Sequence, residues 1–423
     1  MSTNSPLADL VLPYFRTNSR NLWQWSAANA HGESMFNGLD IIESAIAELN
    51  NSPRPTYSGA QIFDVIHRAL NSSMRVLLRA DDSSGIIGEA IQALLNLHAR
   101  MAVFSTKTPK QLASWFIKFH DGDTSGFFFL DPVEYRESLG EAGMAIVREW
   151  VGQQRHAVEQ ARQHKPAHSF ISAEYVVTHL EQRFAVLDKD IDAIIAAHVR
   201  DGKVAAWYRD AAKALAEIGE YDLAITWASK GAHEFHDWQG IECAQYLIQL
   251  IRQRHPEQLR EVARDLTYTH LRADFAGLYV DITPTHAARD AREEMLAALA
   301  ERPLERAKFM ERYLDDPAAT LDYLEANNVD DQSLRERVAD QLLPLDPLRA
   351  ICVYVDGIAD MLVRADTRKY APAARALRAL RRRAKGTGSA EASAAVEAFI
   401  LGLRAQYKNR PSMIRTFDKH ELS

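Results

Sequence analysis

Apolar residues recur every three or four positions through most of this chain. The clearest stretch runs from 204 to 232. Val204, Trp207, Tyr208, Ala211, Leu215 and Ile218 share one helical face. "GEY" (219–221) then turns the chain, and Tyr221, Ala224, Ile225, Ala228 and Ala232 form a second stripe. The pattern predicts two helices joined by a tight turn, the unit of a helical repeat array. Similar segments follow at "ERAKFMERYL" (305–314), "PAATLDYLEAN" (317–327), "SLRERVADQLL" (333–343) and "PLRAICVYVDGIADMLV" (347–363). Their period is not strict, so the repeats are degenerate. Each apolar face is buried only by stacking on its neighbours.

Punctuation supports helices. Thr108-Pro109, Asp131-Pro132, Thr283-Pro284, Asp316-Pro317 and Asp346-Pro347 each pair a short polar residue with proline. The first caps free N–H groups, and proline at the first helical position loses no hydrogen bond. "GLYVDIT" (277–283) is the one candidate strand, and no nearby segment offers it a partner. The fold class predicted is all-α: an α-solenoid of degenerate, tetratricopeptide-like helix-turn-helix repeats over 170–423, with an additional helical N-terminal domain over 1–165. The polar stretch "QARQHKPAHS" (160–169) separates the two.

Composition narrows the function classes. The 423 residues are 47% hydrophobic and 25% charged, as in ordinary soluble proteins. No apolar run is long enough to cross a bilayer, and the first fifteen residues do not read as a signal peptide. Cys243 and Cys352 are the only cysteines and make neither a CxxC nor a disulfide framework. Both fall in amphipathic helices, where a cysteine reads as a small buried hydrophobe. A cytoplasmic location is expected. The net charge of -7 does not suit general attraction to nucleic acid.

"AAKALAEIGEYDLAITWASKGA" (211–232) looks like a tetratricopeptide unit, with Gly219, Tyr221, Ala224, Trp227 and Gly231 at its packing positions. The chain also resembles the helical C-terminal region of bacterial SWIM zinc finger family proteins. The likeness extends through 347–382 and "YKNRPSMIRTFDKHEL" (407–422), and more weakly through 79–98 and 112–143. The CxC and CxH elements of the SWIM finger are absent, so zinc binding through them is not carried over. The resemblance implies a helical scaffold in a bacterial protein.

Candidate chemistry is sparse. In "HDGDTSGFFFLDPVEY" (120–135), Asp121, Asp123, Ser125 and Gly126 fill the first, third, fifth and sixth positions of a calcium loop. Pro132 stands where the bidentate glutamate belongs. The competing reading makes Asp131 a helix cap, Pro132 the first helical residue and Glu134 the closing member of a capping box. In "RADDSSGIIGEA" (79–90), Ser83 or Ser84 would cap a helix, with Asp81 and Asp82 repelling any anion at its start. "HEFH" (233–236) is one residue short of a zinc-protease spacing, and Pro166 interrupts "HKPAH" (164–168). No nucleophile elbow or phosphate loop is present.

The strongest charge feature is residues 364–385. Nine cations against Asp366 give a net of +8 and leave the rest of the chain at −15. Arg375, Arg378, Arg382 and Lys385 fall on one helical stripe. These patterns predict a non-enzymatic scaffold without a cofactor, binding a protein or peptide in the groove of the array. Trp207, Tyr208, Tyr221 and Trp227 are its candidate anchors. One alternative is a nucleic-acid-associated regulator using the basic helix 370–385. Another is a calcium- or metal-dependent protein using 121–126. No membrane partner is expected.

Overall fold

The computed structural model describes residues 5–121, 128–164 and 171–422. The described residues form 21 α-helices. The chain divides into two compact units, 1–224 and 225–423. The boundary expected between 165 and 170 lies outside the described residues.

The first unit contains α1 (Pro6–Phe15), α2 (Trp25–Asn51), α3 (Gly59–Leu77), α4 (Ile86–Met101), α5 (Pro109–His120), α6 (Arg136–His164), α7 (Ile171–Asp188), α8 (Ile191–Val199) and α9 (Ala205–Glu217). The division falls within α10 (Tyr221–Glu234). The second unit continues with α11 (Trp238–Arg254), α12 (Leu259–His270), α13 (Ala273–Asp281), α14 (Ala288–Ala298), α15 (Pro303–Tyr313) and α16 (Pro317–Ala326). It ends with α17 (Gln332–Leu342), α18 (Pro347–Val363), α19 (Thr367–Gly386), α20 (Ala390–Gln406) and α21 (Pro411–Lys419).

In the first unit α1 packs on α2 and α3, and α4 packs on the same two helices. Helix α1 is too short to persist alone. It is held by burying Leu7, Val11, Leu12 and Phe15, each large side chain contributing about 1.5–3 kcal/mol. Gly38 lets α2 come close, because a Cβ there would sit 2.5 Å from the Phe15 ring. Helices α5, α6 and α7 then pack in succession, and Val176, Val177, Leu180 and Phe184 of α7 join the same core.

The C-terminal helices follow the stacking rule of a repeat array. Each of α15 to α19 packs on the next, and α15 meets α17, α18 meets α20 and α19 meets α21. Turns between helices close on themselves. After α9, Gly219 takes a φ of 93°, while the N–H groups of Gly219 and Glu220 bond the carbonyls of Ala216 and Leu215. After α16, Asn328 takes the left-handed conformation, and the N–H groups of Asn328 and Val329 bond the carbonyls of Glu325 and Leu324. Both are Schellman closures, which satisfy the last free carbonyls of the helix.

Three of the five polar-proline pairs cap helices. Thr108 closes a capping box with Gln111, and Asp316 and Asp346 accept from the N–H groups of Ala319 and Arg349. The other two do not. The Thr283 hydroxyl donates back to the Tyr279 carbonyl, and a 3-10 turn intervenes before α14. After Asp131 comes a turn, and α6 begins only at Arg136. Asp131 bonds the Val133 N–H at 2.9 Å and pairs with Arg183 at 2.6 Å.

"GLYVDIT" is not a strand: most of it lies in α13. Its polar backbone is satisfied within the helix, which buries Phe275, Ala276, Tyr279 and Val280. At 79–90 the cap is neither serine. Gly85 precedes the helix in the left-handed conformation, and the Asp82 carboxylate accepts from the N–H groups of Ile87 and Gly88. Among the described residues no helix is long and apolar enough to cross a membrane.

Candidate functional site

Helix α19 carries the charge-rich segment. Asp366 caps it by accepting from the Arg368 N–H at 3.0 Å. Tyr370, Ala373, Ala374, Leu377, Leu380 and Ala384 are buried. The alanines let α18 and α20 pack close to it. The opposite face carries Arg375, Arg378, Arg382 and Lys385, all exposed. Steps of three, four and three residues place them in one row along the helix.

Three other cations of the segment, Arg368, Arg381 and Arg383, are paired internally. Arg368 turns back on Asp366 at 3.1 Å. Arg381 donates to Glu397 of α20 at 2.8 Å and to the Glu421 carbonyl at 2.6 Å. Arg383 donates to Asp340 of α17 and to the Tyr354 hydroxyl, both at 2.7 Å. Burial and the Asp340 carboxylate raise the Tyr354 pKa, so its hydroxyl stays neutral. Arg378 approaches only the exposed Glu421, at 3.8 Å. Arg375, Arg382 and Lys385 have no carboxylate partner among the described residues. Arg381 and Arg383 thus tie helices together, Arg368 pairs locally, and the row lies among the exposed cations of the segment.

The four aromatic candidates sit differently. Tyr208 is buried, and its hydroxyl donates to the Gly202 carbonyl. It is a packing residue. Trp207 is half-buried with the Arg200 guanidinium 4.9 Å from its ring centre, and Trp227 is half-buried with Lys230 at 5.1 Å. Tyr221 is also half-buried. The tryptophans that stand out from the surface are Trp23, Trp25 and Trp238. Helical periodicity does not single these out, because they lie in or beside helix starts.

Asp123 and Ser125 lie outside the described residues. Asp121 is exposed and ends α5. His120, the residue before it, links α5 to Leu130. His120 Nδ1 donates to the Phe116 carbonyl at 3.0 Å, so Nε2 is the acceptor and takes the Leu130 N–H at 3.1 Å. Burial lowers its pKa to about 4, despite the favourable bond to the Phe116 carbonyl. A neutral imidazole therefore accepts the Leu130 N–H.

A second histidine group lies in the same unit. His67 and His98 are linked at 2.9 Å, and His98 Nδ1 meets the Tyr135 hydroxyl at 2.7 Å. His98 stacks on Trp115 with ring centres 4.4 Å apart. Burial, helped by Lys107, lowers the His67 pKa to about 4 and drives that of His98 well below its ordinary value. Burial raises Tyr135. All three are neutral near pH 7, and His98 donates through one nitrogen and accepts through the other. The arrangement organises the core.

His233 of "HEFH" donates from Nδ1 to the Ser229 carbonyl at 2.7 Å and pairs through Nε2 with Asp265 at 2.6 Å. Burial opposes its charged form, but these two partners outweigh it and raise the pKa. Its nitrogens are therefore both engaged. Among the described residues no group of three or more histidines, cysteines and carboxylates is placed to hold a metal ion. Cys243 is buried as expected. Cys352 is exposed, because it falls on the outer side of α18.

Residues 19–414 match DUF6880, a family of unknown function. No curated protein matches the chain. A solved circular tandem repeat protein, described as having novel repeat topology and enhanced subunit contact surfaces, aligns over 98% of this chain and 95% of its own. It shares 14% sequence identity at a TM-score of 0.16.

Proposed function

Since the chain belongs to the DUF6880 family, which carries no assigned activity, we propose that it is an interaction scaffold whose C-terminal helices dock an acidic protein segment along α19. One observation carries this reading: Arg375, Arg378, Arg382 and Lys385 form an exposed row, and three of them lack a carboxylate partner among the described residues. Exposed like charges repel one another and are relieved by an anionic partner. The resemblance of 347–382 and 407–422 to the helical region of SWIM zinc finger family proteins falls on the same helices.

The test compares two baits, the full chain and its Arg375→Glu/Arg378→Glu/Arg382→Glu variant. An acidic partner recovered by the first and lost by the second supports docking on α19. An unchanged set of partners rejects it. The same row suits nucleic-acid phosphates, which makes nucleic acid the second reading. Base stacking has no platform there, since Tyr370 is buried. Fluorescence anisotropy with labelled duplex DNA and RNA separates the readings. Binding that weakens steeply with salt and disappears in the variant favours nucleic acid.

A further inference from the structure

A second concentration of charge lies in the first unit. Arg16 and Arg20 follow the end of α1, and Arg75 and Arg79 lie at the end of α3. All four line one open cavity of ≈640 Å³, and no carboxylate or aromatic ring lines it with them. None of the four forms an ion pair among the described residues. Arg79 is fixed in place: it donates to the Ser19 carbonyl at 3.2 Å and to the Thr17 carbonyl. Arg16 Nε reaches the buried Ser72 hydroxyl at 3.5 Å.

The helix ends offset part of this charge. Cations at helix C-termini are favoured by the macrodipole, worth roughly half a negative charge per helix end. Two helix ends supply about one negative charge against four guanidinium groups, which leaves an excess of about three positive charges. Other arginines of the chain meet carboxylates at close range: Arg183 meets Asp131 and Glu217, and Arg349 meets Asp322. Here the protein provides none.

We infer that this cavity binds a compact polyphosphate anion, a di- or triphosphate group carried by a nucleotide or free in solution. Guanidinium forks match phosphate oxygens in pairs. The absence of an aromatic wall directs recognition to the phosphates rather than to a base. An anion of about three or four negative charges balances the excess left by the helix ends.

Isothermal titration calorimetry on the full chain tests the assignment, with tripolyphosphate, ATP and orthophosphate as probes. Tripolyphosphate is expected to bind one to one, at least about tenfold tighter than orthophosphate. Arg20→Gln/Arg75→Gln is expected to weaken it by about tenfold or more, since two charge-assisted contacts are lost. Both residues are exposed, and Arg79 keeps its bonds to the turn, so the variant retains the fold and its thermal midpoint. Arg375→Gln/Arg382→Gln on α19 is expected to bind as the parent does. This makes failure of the docking proposal separable from failure here.

Equal affinity for ATP and tripolyphosphate assigns recognition to the phosphate chain alone. Tighter ATP binding adds a contact to the nucleoside, and either result supports the site. No heat with millimolar tripolyphosphate, or an unchanged affinity in Arg20→Gln/Arg75→Gln, removes it. A short single-stranded RNA that binds at least about tenfold tighter than tripolyphosphate, and depends on the same arginines, overturns the compact ligand in favour of a nucleic-acid backbone.

Discussion

The core around α3 to α6 and the core of the C-terminal helices are built on different principles. The first encloses polar groups. His98, His120 and Tyr135 are almost wholly buried, and each is hydrogen-bonded across tens of residues or to a distant backbone group. From 307 to 422 no histidine is buried, the polar groups in the buried set are Thr320 and the hydroxyls of Tyr354 and Tyr370, and charge is kept to the rim in pairs such as Arg381–Glu397 and Arg383–Asp340. A buried hydrogen bond has few geometries that satisfy it, so the first core specifies one arrangement. A stack of aliphatic faces is less particular and is stabilised by area. The first region therefore depends on neutral histidines, whereas the second depends on contact between neighbours.

The largest effect expected tests the stacked region. Phe417→Ala removes a wholly buried ring from α21 and is expected to cost about 3–5 kcal/mol. Amide hydrogen exchange should accelerate in α19 to α21 and remain unchanged in α3 to α5. Equal acceleration in both would erase the distinction between the two cores.

Acid should act on the opposite side. His120 has a folded pKa near 4 against 6.5 unfolded, and His67 shifts in the same direction. Below pH 6.5 the unfolded chain takes up protons that the folded chain refuses. Stability is thus complete above 6.5 and declines as the pH falls toward 4. His120 alone accounts for a loss of about 3 kcal/mol across that window. Exchange measured at pH 7 and 4.5 should reveal loosening around 116–135 before 333–422, where His420 is the only histidine. If the C-terminal helices loosen first, the comparison is wrong.

Tyr135→Phe sharpens the same point with less force. It keeps the ring and deletes one hydrogen bond, which leaves a buried nitrogen of His98 without its partner, at a cost of about 1–3 kcal/mol in chemical denaturation. The smallest effect is local. Asp346→Ala removes the cap of α18 and is expected to cost about 1 kcal/mol, with little consequence in the first unit. A larger loss there would mean that α18 does more than stack.

Much of the architecture is legible in the sequence because its causes are local. The stripe on 204–218 and the caps at Thr108, Asp316 and Asp346 depend on residues within one or two turns. The row on α19 is legible for the same reason, since its spacing alone defines a face. Local reading fails where one motif has two uses. Asp131 resembles a cap yet serves a turn and a salt bridge, and Ser83 and Ser84 yield their role to Asp82. Contacts such as His67–His98–Tyr135 leave no periodic trace, because they join residues 31 and 37 positions apart. The arginine cavity is hidden likewise: two of its members follow α1 and two end α3.

The turn after α16 has a further consequence. Asn328 and Val329 close the helix using only the carbonyls of that same helix, and Asp331 opens the next one. Nothing beyond the junction is needed to form it. Such a joint behaves as a self-contained hyphen, so a helix beside it can be lengthened, dropped or copied over generations without rewriting distant text.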